Sequence, residues 1–161
     1  MNIKTLGALA AISLLAACSH PAQQNTASTG TGIVAPQAPV GIPGGTQEDL
    51  VANVGDRVFY EFNQSALTDE AQATLNKQAA WLARYPNVRV QVAGNCDDRG
   101  TEEFNLALGN RRANAARDFL VAKGVSTDRI TTISYGKDRP TALGDNEQAW
   151  AQNRNAITSV R

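Results

Sequence analysis

Between Gly94 and Ala115 the chain concentrates charges, amides and glycines. It reads Gly94-Asn95-Cys96-Asp97-Asp98-Arg99-Gly100-Thr101, then Glu102-Glu103-Phe104-Asn105 and, further on, Gly109-Asn110-Arg111-Arg112-Ala113-Asn114-Ala115. Two acids and an arginine in a glycine-bounded loop, followed by an asparagine and paired arginines, suit a ligand bearing both an ammonium and a carboxylate. Each charged end would then meet a charge-assisted hydrogen bond. Asp97 is the candidate for the ammonium and Arg112 for the carboxylate. Fifteen positions separate them, so spacing leaves their meeting open, and a structural ion pair closing the loop onto a helix is the plainer alternative.

Other chemistries fit less well. Asn95 to Gly100 begins like a calcium loop, but Arg99 falls where an oxygen donor is required. Cys96 as a nucleophile would need a histidine base, and the single histidine, His20, lies in a polar N-terminal stretch; a small packed thiol is the better reading. Zinc hydrolases need histidine beside acidic ligands, and this region has no histidine. A cell-wall glycosidase needs a positioned acid in a sugar cleft, and no acidic pair here has other support. The residues point to reversible recognition rather than an enzyme.

The elements that must position these residues follow from the patterning. Arg57 to Phe62 has strand composition. Thr68 followed by Asp69 and Glu70 predicts a capped helix running to about Arg84, with Ala71, Leu75, Ala79 and Leu82 on one face and Tyr85-Pro86 ending it. Val88, Val90 and Val92 alternate as a half-buried strand. The loop from Gly94 to Gly100 leads to a second helical stretch ending at Lys123-Gly124. Gly109 would weaken a continuous helix by roughly 1 kcal/mol, which predicts a break there and puts Arg112 in a first turn, its carboxylate role assisted by unpaired backbone N–H groups. Arg129 to Tyr135 is a third strand, Asn146 to Gln152 a short helix and Ala156 to Val160 a last strand. This order predicts an α+β domain, β-α-β-α-β with a trailing strand, its mixed sheet covered by helices on one face.

Upstream, Met1 to Ala17 carries one charge, Lys4, and an apolar run from Leu6 to Leu15 too short to span a bilayer, so residues 1–17 read as a signal peptide. Leu15-Ala16-Ala17-Cys18 resembles a bacterial lipobox. That resemblance implies an N-acyl, S-diacylglyceryl lipid on Cys18 as the covalent cofactor, and Ser19 in place of Asp implies the outer membrane, with the folded domain facing the periplasm. An acylated Cys18 cannot pair with Cys96, so no disulfide framework is expected. Residues 18–50 are rich in Ser, Thr, Gln, Pro, Ala and Gly and read as a linker, with a fully extended reach on the order of 120 Å. The folded domain is placed at 51–161. Fifteen basic residues balance fifteen acidic ones, which argues against nucleic acid as a partner.

From about Val58 to Val160 the sequence resembles the OmpA-like peptidoglycan-binding domains, above all in Asp98-Arg99-Gly100-Thr101 and Arg111-Arg112-Ala113-Asn114-Ala115. The resemblance implies that Asp97 binds the ammonium of meso-diaminopimelate in the peptidoglycan stem peptide and Arg112 its carboxylate. It places Asn105, Phe62 and Asn63 in the same site. It also makes Asp98 and Arg99 candidate contacts for TolB and implies a role in the Tol-Pal envelope and division system. The sequence departs from the family at Asn63, where aspartate is usual, at Asn95 for histidine, at Cys96 for a small residue and at Asn155, in Asn153-Arg154-Asn155, for arginine. A lipoprotein that keeps the Tol partners and has lost wall binding is therefore the rival reading.

Overall fold

The computed structural model describes residues 41–161. The leader, Cys18 and the linker up to residue 40 lie outside the described residues. Folded structure reaches further toward the N-terminus than the boundary drawn at Val51. The Thr46 hydroxyl accepts from Asp49 N at 3.2 Å and caps α1, Gln47–Asp49, which continues as a wider π-type turn over Leu50–Val54. Leu50 is fully buried, and Trp81 Nε1 donates to Asp49 Oδ2 at 2.8 Å. Val160 N donates to Gln47 Oε1 at 2.7 Å, fastening this segment to the other end of the chain. The signal was present in Thr46 followed by acids and then Leu50, a capped first turn with one apolar anchor.

Strand β1 is Arg57–Phe59, shorter than expected because the chain turns at Glu61 to Gln64, where Gln64 N donates to Glu61 O. Helix α2 is Asp69–Arg84, capped by the Thr68 hydroxyl; its face Ala71, Leu75, Ala79 and Leu82 is buried. Strand β2 is Val90–Asn95, helix α3 Glu102–Ala122, strand β3 Ile130–Gly136, helix α4 Glu147–Asn153 and strand β4 Asn155–Val160. The sheet order is β1-β4-β2-β3, with β4 antiparallel to both neighbours and β2 parallel to β3. The last strand thus enters the middle of the sheet. Leu75 and Leu82 of α2 and Ala113, Ala116 and Leu120 of α3 share one core with Val58, Val90, Val92, Ile130 and Ala156. The fold is the mixed α+β arrangement expected.

Helix α3 does not break at Gly109. It runs unbroken through it, and Arg112 sits ten residues past its start, so no free N–H groups of a helix terminus surround that arginine. The glycine has another purpose. A Cβ on Gly109 would lie 2.8 Å from Gly94 O and 2.3 Å from Ser134 Oγ, so its bare Cα lets the helix lie directly on β2 and β3.

Candidate functional site

A cleft of about 160 Å³ opens where the end of β2, the start of α3 and the turn after β1 converge, lined by Phe62, Asn63, Cys96, Asp97, Arg99, Gly100, Phe104, Asn105, Leu108 and Arg112. Five residues singled out in the sequence, Asp97, Arg112, Asn105, Phe62 and Asn63, line this one cleft although they come from three separate segments.

Arg112 is almost completely buried, and its guanidinium is largely engaged by backbone. It donates from Nε to Gln64 O at 2.8 Å, from Nη1 to Asn95 O at 2.8 Å and from Nη2 to Glu61 O at 3.2 Å. Three of five N–H groups are used in this way, leaving two outside these backbone bonds. Its own carbonyl accepts from the Tyr60 hydroxyl at 2.8 Å, and its Cζ lies 5.2 Å from the Tyr60 ring centroid. Burial pulls the Arg112 pKa down from the usual arginine value and pushes the Tyr60 hydroxyl up. Because the carbonyls of Glu61 and Gln64 bracket the turn, Arg112 fixes Phe62 and Asn63 at the rim. Asn63 has φ 55°, a left-handed conformation that asparagine tolerates.

Asp97 is buried and does not pair with Arg112. Its carboxylate accepts from Arg99 Nη2 at 2.6 Å, Arg154 Nη1 at 3.4 Å and Arg99 N at 3.3 Å. Burial opposes ionisation, but the hydrogen bonds and charges of Arg99 and Arg154 outweigh it and hold the carboxyl below its usual range. Arg99 itself is clamped by two rings, its Cζ 4.1 Å from the centroids of both Phe62 and Trp150. The ion pair with Asp97 raises its pKa. Of the two residues considered for TolB, Asp98 is exposed, whereas Arg99 turns inward.

Asn105 braces the loop: its Nδ2 donates to Arg99 O at 2.8 Å and Thr101 O at 3.1 Å. The Cys96 thiol, buried and donating to Asn105 O at 3.3 Å, has its pKa pushed up by burial, which makes it a packed thiol rather than a nucleophile. Sequence reasoning left out Glu147, Trp150 and the contact of Arg154 with Asp97. Arg154 donates to Glu147 Oε1 at 2.6 Å and to Tyr60 O at 3.1 Å as well as to Asp97. Glu147 and Trp150, three positions apart, share a face of α4, and Arg154 follows directly as its C-cap, which was the available signal.

Two of the departures in sequence prove to be one. Asn95 Nδ2 donates to Asn155 Oδ1 at 2.8 Å, both residues are buried, and Asn155 Nδ2 donates to Gln152 O at 2.6 Å and Thr141 Oγ1 at 3.1 Å. The substitutions meet as a neutral amide pair outside the cleft lining.

A four-stranded mixed sheet with helices on one face and a charged cleft at the end of β2 defines a class, and the family model of the OmpA family matches residues 59–154. The chain belongs to the OmpA family. Within it, the chain is 52% identical over 114 residues to the peptidoglycan-associated lipoprotein of Rhizobium meliloti (strain 1021), a match covering 71% of this chain and 65% of that one. It is 44% identical over 157 residues to the protein of the same name from Mesorhizobium japonicum, covering 95% and 89%. The crystal structure of the peptidoglycan-associated lipoprotein from Burkholderia pseudomallei superimposes with a TM-score of 0.64 at 40% identity, over 66% of this chain and 90% of that one. The resemblance read from the loop and helix stands.

Proposed function

We propose that this chain is an outer-membrane lipoprotein that holds the membrane to the cell wall by reversible binding of the diaminopimelate-containing stem peptide. Asp97 receives the ligand ammonium, Arg112 its carboxylate through the two N–H groups its backbone contacts leave over, and Phe62 and Asn63 form the rim. The lipid on Cys18 supplies the other attachment, and the exposed Asp98, with Arg99, is the surface offered to TolB within the Tol-Pal system. No bond is made or broken.

The observation that carries this reading is the convergence of Asp97 and Arg112 on one small cleft in a chain whose relatives are named for association with peptidoglycan. The test is calorimetric titration of the full chain in detergent with muropeptides containing meso-diaminopimelate or lysine. Binding of the diaminopimelate form alone, lost in folded Asp97→Ala, supports the reading. One observation favours the rival, a Tol-interacting lipoprotein with weak wall binding: both charged anchors are already engaged within the domain. A folded chain that binds neither muropeptide would overturn the wall reading, and binding of TolB by that chain would establish the rival.

A further inference from the structure

We infer that Arg99 is a built-in competitor for the ammonium site, occupying Asp97 until a ligand displaces it, and that it thereby sets how strong a cation the cleft admits. The inference rests on the proposed stem-peptide site. Asp97 is the buried acid of the cleft, and its shortest contact, 2.6 Å, is to Arg99 Nη2. A carboxylate held by Arg99 and, at 3.4 Å, by Arg154 has no unmet need of a third cation. An incoming ammonium must therefore take the place of one of them.

Arg154 is poorly suited to leave. Its side chain is buried, and it also holds Tyr60 O and Glu147. Arg99 is better suited, because its side chain is about one-third exposed and its Nη1 already lies 3.9 Å from Glu147 Oε2, an exposed second carboxylate. The rings of Phe62 and Trp150, each centred 4.1 Å from its Cζ, hold the guanidinium in cation–π contact. With Asp97 at 2.6 Å and Glu147 at 3.9 Å, the rings form a slot in which Arg99 can exchange the first carboxylate for the second without leaving them. Phe62 belongs both to the slot and to the cleft rim, so ligand contact with its ring bears on the same arginine.

The test is titration of the full chain in detergent with L-alanyl-γ-D-glutamyl-meso-diaminopimelate and with the same peptide acetylated on the free diaminopimelate amine. If Arg99 masks Asp97 in about nine of ten molecules, Arg99→Gln binds the free-amine peptide about tenfold more tightly than wild type. The acetylated peptide gains nothing. Trp150→Leu, which loosens the slot from outside the cleft, shifts affinity the same way by a smaller factor and keeps the test available if Arg99→Gln misfolds. Equal or weaker binding of the free-amine peptide by these variants, with wild type binding, overturns the inference and leaves the wall site intact. Equal tightening for both peptides also overturns it, since that would be a loosened loop. Binding of neither peptide by any folded form overturns the wall site itself, and the inference with it.

Discussion

Gly94 and Gly109 face each other where β2 passes under α3, and a Cβ on Gly94 would sit 1.8 Å from Gly109 O. Neither backbone can withdraw without moving a strand that ends in the cleft or the helix that carries Arg112. Gly94→Ala is therefore expected to lower stability by about 3 kcal/mol, an overpacking penalty without a flexible atom to absorb it. Gly109→Ala meets the same backbone at a longer distance, 2.8 Å from Gly94 O, and displaces Ser134 Oγ from its bonds with Leu106 O and Gly136 N, so it also destabilises, but less, because alanine regains roughly 1 kcal/mol of helix propensity. Urea denaturation of both variants checks the order.

Arg112→Ala is expected to cost about 3 kcal/mol or more, since it leaves buried carbonyl oxygens of Glu61, Gln64 and Asn95 without their donor. Arg112→Lys recovers only part, because an ammonium cannot reach three acceptors in the plane of a guanidinium. Limited proteolysis should show new cleavage between Glu61 and Gln64 in both. A folding control is consequently indispensable when Arg112 variants are used to test wall binding.

The Asn95–Asn155 pair predicts a coupling. Each single alanine substitution strands a buried amide and is expected to destabilise by about 1–3 kcal/mol, while the double variant loses less than the sum. A double-mutant cycle in urea should give an interaction energy on the order of 1 kcal/mol. Strict additivity would show that the hydrogen bond between the two amides contributes nothing.

Acid should weaken the loop in a particular window. Asp97 has a pKa below its ordinary 3.8 in the folded protein, so it contributes stability at pH values above 3.8. That contribution is lost as pH falls below 3.8 through the depressed folded value. Asp97→Asn should flatten part of the acid limb of a stability-against-pH curve, and only part, because Asp49, hydrogen-bonded by Asn53 and Trp81, is shifted in the same direction. An unchanged acid limb would mean that Arg99 and Arg154 do not stabilise the ionised form.

Much of the fold was legible because it rests on local chemistry. Thr68 announces its helix by capping, and the face of Ala71, Leu75, Ala79 and Leu82 follows from helical period. The place of β4 between β1 and β2 was not legible, since register between distant strands is decided by packing. The site was half legible. Asp97 and Arg112 stood out as charges, yet Arg112 spends three donors on carbonyl oxygens, which every residue possesses and no residue type advertises. Gly109 was misread for the same reason: the residue it accommodates is backbone of a strand, invisible in the pattern of its own helix. The clamp on Arg99 escaped because Trp150 comes from a different helix.

The contacts of α1 also have a mechanical meaning. Tension applied to the chain upstream of Thr46 enters the domain at Gln47 and Asp49, whose side chains are fastened to Val160 and Trp81. These two bonds stand between that tension and the short β1 strand at the sheet edge, whose ladder to β4 would otherwise be peeled open one pair at a time. With Leu50 of the following turn buried as well, a pull from the N-terminal side has to break these contacts before it loads β1 and the turn at Glu61 to Gln64.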